Sequence, residues 1–223
     1  MKQIQTCAIL LLLAAIFCGC ASYGPKNKDL SLVLSNTQES LTNLQEKISA
    51  SDDLKMKEAY KKLNRKSTEL FPVLEKCNDK YALSPEYVST LKEAQKVLNR
   101  MTKNDVNVTN KANVLLAIYQ DYDAKLQTIK NTAANNATTK IKVIVNSNEE
   151  KGFFVFGKLS YEQGQDIKRF RFNQPTQNAV QDFVPGYYLF WLEKEGRIGV
   201  PELHLIMSNS GEEEKTLVLQ TPK

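Results

Sequence analysis

The hydrophobic period of this chain changes once, near residue 138, and that change limits what the chain can fold into. From Leu30 onward the apolar spacing is helical. Leu34, Leu41 and Ile48 fall seven apart, and Leu30, Thr37 and Leu44 form the interleaved set, which is the stripe of a helix packed against neighbours. This helix is expected to end near Ser49, where SASDD offers Ser51 or Asp52 as the next N-cap. Tyr60, Leu63, Leu70, Leu74, Cys77 and Tyr81 mark a second helix. Pro72 lies inside it and predicts a kink or break near Phe71, because proline removes a backbone donor and crowds the preceding turn. LSPEYV starts a third helix, with Ser84 as N-cap, Pro85 at the first helical position and Glu86 in the first turn. It would bury Val88, Leu91, Ala94, Leu98 and Met101, and a fourth helix would bury Leu115, Ile118, Tyr122, Leu126 and Ile129. Helices joined by short connections predict an antiparallel bundle over residues 30–131.

Past NTAANNATT the alternation has a period of two. Ile141, Val143 and Val145 share one side, as do Phe153, Val155, Leu159 and Tyr161, and Phe170 and Phe172 alternate with Arg169 and Arg171. YYLFWLE, PELHLIM and KTLVLQ follow, divided by the turn signals KEGR and NSGEEE. Roughly six or seven short strands predict an antiparallel β-sandwich over residues 140–223. The fold class is therefore α+β. The linker, rich in Ala, Asn and Thr, lacks large apolar side chains, so the two halves are expected to fold as separate units. DFVPGYYLFWLEKEGR, residues 182–197, resembles the closing hairpin of carboxypeptidase-regulatory or PEGA-type sandwich modules through Pro185, Gly186, the aromatic strand and the Gly196 turn. That resemblance implies an accessory binding or spacing module without catalysis.

The N-terminus reads as a targeting segment. Lys2 is followed by an apolar, uncharged run from Thr6 to Cys18, shorter than the roughly 20 residues a spanning helix needs. IFCGCASYG then resembles a bacterial lipobox, in which a hydrophobic residue and two small ones precede an invariant cysteine. The resemblance implies a signal peptide over residues 1–19, a lipid-modified Cys20 carrying acyl chains such as palmitate, and a linker over residues 20–29. Phe17 and Cys18 depart from the commonest residues of the motif, so secretion without lipid and an uncleaved anchor remain alternatives. Ala21, rather than aspartate, follows Cys20; in lipoproteins of enteric type this implies the outer membrane. Once Cys7 and Cys18 leave and Cys20 is acylated, Cys77 is the remaining thiol, and one thiol closes no intramolecular disulfide. Its helical spacing from Leu70 and Leu74 suggests packing as a small hydrophobe.

Loss of Lys2 lowers the formal charge from +5 to +4, too mild an excess to imply nucleic-acid binding. The single histidine, His204, alternates with Leu203, Leu205 and Met207 and reads as an ordinary strand residue. No GxSxG surrounds a serine, and HExxH, CxxC and glycine-rich phosphate loops are missing after the signal segment, so neither an enzyme nor a cofactor or metal is expected. Asp121 and Asp123, and the run Glu212, Glu213 and Glu214, read as solvated surface. The better candidates bind without reacting. IKRFRF interleaves Lys168, Arg169 and Arg171 with Phe170 and Phe172, giving a strand with one basic and one apolar face. In the aromatic strand, either Tyr187, Leu189 and Trp191 or Tyr188, Phe190 and Leu192 face outward. Lys168, Arg169, Arg171, Tyr188 and Trp191 are the candidate ligand surface. The expected function is a membrane-anchored, non-catalytic envelope scaffold held by its N-terminal lipid, with a protein partner in the envelope. The second reading is an accessory protein that binds anionic glycan or peptidoglycan through the sandwich.

Overall fold

A computed structural model describes residues 26–81, 83–103, 110–132, 140–162, 169–208 and 213–222. Residues 1–25, with Cys20 among them, together with Lys168, Glu212 and residues 133–139 lie outside the described residues. Helices α1 (Asp29–Ser49), α2 (Leu54–Tyr81), α3 (Pro85–Thr102) and α4 (Lys111–Asn131) precede strands β1 (Ile141–Ser147), β2 (Phe154–Leu159), β3 (Phe170–Arg171), β4 (Ala179–Phe183), β5 (Gly186–Lys194), β6 (Arg197–Ile198), β7 (Glu202–Ile206) and β8 (Glu214–Leu219).

Both interleaved apolar sets of α1 are buried. Helices α1 and α2 run antiparallel: the Tyr60 hydroxyl donates to the Leu41 carbonyl near the end of α1, while the Asn27 amide hydrogen-bonds Asn78 near the end of α2. Helix α1 also packs on α3, and α2 on α4. Ser84 caps α3 as its sequence predicts, its hydroxyl accepting from the Tyr87 amide at 3.2 Å. The cap of α2 is Asp53, one residue later than expected, and its carboxylate accepts from Met56. Helix α2 is continuous through Pro72, so no break occurs. The carbonyl deprived of its donor belongs to Thr68, at an exposed position where water can serve it. Cys77 is half-buried against the core, and burial pushes its thiol up against the opposing pull of Lys76 and Lys80.

The strands form two sheets. One has the order β4-β1-β8; the other runs β3-β2-β5, with β6 and β7 both pairing with β5. All pairs are antiparallel except β1 with β8. Those two strands are separated by the whole of the second sheet, a connection long enough for a parallel return. Between the sheets Phe170, Phe172, Phe183, Tyr188 and Phe190 form a ring cluster, with Phe170 and Phe183 centroids 5.2 Å apart. Gly157 makes room for it, since a Cβ there would lie 2.6 Å from the Phe170 ring.

The halves do not merely adjoin. Helix α4 packs on β5 and β7, and two of its charged side chains, Asp121 and Lys125, are completely buried in the contact. Asp121 was expected on a solvated surface, and the structure corrects this. Two residues apart on a helix, Asp121 faces the sheet whereas Asp123 faces α2 and pairs with Lys66 at 2.8 Å. The Lys125 ammonium donates to Asp121 at 2.7 Å and to the Pro185 carbonyl at 2.8 Å, and the Tyr187 amide donates to the other Asp121 oxygen at 3.2 Å. Burial pushes the Asp121 carboxyl up and the Lys125 ammonium down, each against the attraction of its partner. Gly186 fits beneath this pair, because a Cβ would meet the Asp121 oxygen at 2.6 Å. Around it the Tyr161 hydroxyl donates to Thr90, the Ser208 amide to the Thr128 hydroxyl, and the Asn131 amide to Ser208.

Lys125→Met leaves a carboxylate buried without its counter-charge and is expected to cost about 3–5 kcal/mol in urea unfolding. Lys61→Met, on the exposed side of α2, is expected to change stability by no more than about 0.5 kcal/mol.

Candidate ligand-binding face of the sandwich

The alternation of β2, β3 and β5 decides which candidate residues meet. On β5 the core takes Tyr188, Phe190 and Leu192, so Tyr187, Leu189 and Trp191 belong to the outer set. Phe170 packs against the core and Phe172 is fully buried, which turns Arg169 and Arg171 outward. Phe154 and Phe156 of β2 pair with Glu193 and Trp191 of β5. Arg169, Arg171 and Trp191 therefore share one face. Tyr188 does not join them: it is buried, its hydroxyl donates to Val184, and it lines a cleft of about 240 Å³ with Phe170, Phe183 and residues of α3. As a surface residue in line with Trp191 it is corrected by the two-residue pleat, which puts neighbours on opposite sides. Lys168 and Cys20 lie outside the described residues.

The outer face is a stack of cations and rings. Phe156 and Trp191 lie nearly parallel, with centroids 6.2 Å apart. The Arg169 guanidinium sits over both, 4.9 Å from Phe156 and 5.1 Å from Trp191, and Arg171 covers Phe154 at 4.6 Å. Glu193 accepts from both Arg169 and the Trp191 indole nitrogen. Two consequences follow. The Trp191 ring, on which a sugar would stack, is 7% exposed because Arg169 lies against it. The Arg169 charge is answered by a carboxylate, so this face attracts anions less than its sequence suggests.

His204 lies on the core side of β7 with Ile206, near the Phe190 ring, while Leu203 is exposed. Burial pushes its imidazole down, opposed by Glu202. Among the described residues no group of three His, Cys, Asp or Glu side chains is arranged to hold a metal ion. Glu214 pairs with Lys142 on the surface.

The buried Asp121–Lys125 pair escaped the sequence reading. Its signal was the i,i+4 spacing of opposite charges within a helix whose Ile118, Tyr122, Ala124 and Leu126 are all buried, a pattern that marks a helix covered on more than one side. Comparison with protein-family models, curated proteins and solved structures gives no match in any of the three.

Trp191 is the single tryptophan, so its fluorescence reports this face alone. Arg169→Ala is expected to shift its emission to the red and raise its quenching by acrylamide. An unchanged spectrum would mean that Arg169 does not cover the ring in solution.

Proposed function

We propose that this chain is a lipid-anchored envelope lipoprotein that presents a non-catalytic binding surface, with Cys20 as the acylated residue and the outer membrane as its site. The observation that carries this reading is IFCGCASYG at the end of an uncharged apolar run. Further support comes from how the reactive side chains are engaged. His204 faces the core, Asp121 is matched by Lys125, and Cys77 is held above its ordinary pKa by burial. Each is committed to packing rather than to an open site. No helix among the described residues is long and apolar enough to cross a membrane. The scaffold reading is favoured over sugar binding on the sandwich because Arg169 occupies the Trp191 ring face.

Each buried acyl methylene contributes about 0.8 kcal/mol, so the several chains of a lipoprotein hold it where one would not. Cys20→Ser is expected to abolish metabolic palmitate labelling and move the protein out of the membrane fraction, while Cys18→Ser leaves both unchanged. Labelling that persists in Cys20→Ser overturns the assignment.

A further inference from the structure

We propose that the groove between α1 and α2, at the end of the bundle remote from residue 26, binds a polyanionic glycan. The site deepens the binding role above and rests on that reading only for the glycan belonging to the envelope. The groove holds about 750 Å³ and is lined by Gln45, Glu58, Lys61, Lys62, Asn64 and Arg65 around Tyr60. A second hollow of about 350 Å³ shares Gln45 and Tyr60 and adds Lys57.

The charge is one-sided. LKMKEAYKKLNRK, residues 54–66, carries Lys55, Lys57, Lys61, Lys62, Arg65 and Lys66 against the single carboxylate of Glu58. Lys66 is withdrawn from the surface and paired with Asp123 and Glu69. Arg65 has a loose contact with Glu69 at 3.9 Å. Lys57, Lys61 and Lys62 have no carboxylate partner among the described residues, unlike Arg169 on the sandwich. Lys57, Lys61 and Arg65 succeed one another at i, i+4 and i+8, so their charges lie along one side of α2 about 6 Å apart. Such a row suits a polymer that bears charge at regular intervals.

The remaining lining favours a hydroxylated polymer. The Tyr60 hydroxyl donates its one proton to the Leu41 carbonyl at 3.0 Å and stands 3.2 Å from the Gln45 side-chain amide, which lines the groove. Asn64 offers a second amide at the groove wall. The surface is concave, which fits a chain better than a flat bilayer. Its position agrees. Gln45 stands sixteen residues beyond Asp29 on α1, about 24 Å along the axis. The sandwich joins the opposite end, where Asn27 bonds Leu83, Glu86 pairs with Lys140, and Tyr161 bonds Thr90. A chain held through Cys20 therefore keeps the sandwich near its anchor and the groove away from it.

The test uses the full secreted chain in its soluble Cys20→Ser form, titrated calorimetrically with oligogalacturonate at low and physiological salt. Binding is expected at low salt and is expected to weaken as mobile ions screen it, with none to an uncharged dextran oligomer. Combined Lys57→Gln, Lys61→Gln and Lys62→Gln should reduce affinity at least tenfold and flatten the salt dependence, with an unchanged melting temperature. Gln45→Ala with Asn64→Ala should reduce affinity while leaving the salt dependence as it was. The proposal is overturned if the parent does not bind, if the triple variant binds like the parent, if Arg169→Gln abolishes binding instead, or if the parent prefers phosphatidylglycerol vesicles to the glycan. Failure here leaves the Cys20 labelling result untouched, so the two readings are tested separately.

Discussion

The contact on which the rest of the structure depends is the fully buried ion pair between Asp121 and Lys125. Removing two charges from water costs several kcal/mol each, and their attraction offsets this only when the remaining hydrogen-bonding capacity is also met. Here the Tyr187 amide and the Pro185 carbonyl meet it. Because both partners are backbone groups at the start of β5, the pair sets how α4 lies on the sheet; a shift of one residue would strand both charges. Gly186 is required by the same contact. The Pro-Gly sequence that reads as a turn thus works as a socket for a carboxylate.

Features governed by local periodicity were legible before the structure. The a/d stripe of α1, the Ser84 cap and the core residues of β1 and β2 follow from repeat lengths and capping chemistry alone. What escaped depends on contacts distant in sequence. Asp121 and Asp123 look alike along the chain, and only the direction of the sheet separates a buried ion from a half-buried one. The linker suggested separable halves because it is polar, but the tie between them is α4 itself. Alternation divided the aromatic strand correctly into two sets, yet choosing the outer one required knowing where the second sheet lies. The stacking of Arg169 on Trp191 needed the register of three strands at once.

The same distinction separates the two cationic surfaces. On the sandwich, IKRFRF reads as a basic edge, yet Arg169 is committed to Glu193 and to aromatic rings. On α2, lysines that appear unremarkable in sequence stand in a row beside a groove, and the cation nearest the core, Lys66, is neutralised separately. Burial pushes Lys66 down, but hydrogen bonds to Asp123 and Glu69 hold it above its ordinary value. Which charges remain available is thus decided by packing rather than by composition. On the proposed reading, the seam at Asp121 also determines where the available charges point, because it holds the sandwich at the end of the bundle from which the chain leads back to Cys20.

The central claim is that this seam makes the bundle and the sandwich one cooperative body. Equilibrium unfolding in urea followed by two signals tests it most directly: Trp191 fluorescence reports the sandwich, and circular dichroism at the helical band reports the bundle. The account predicts coincident transitions with one midpoint and one slope, the behaviour of a two-state unit. Two separated transitions, with helical signal lost while Trp191 keeps its native emission or the reverse, would contradict it.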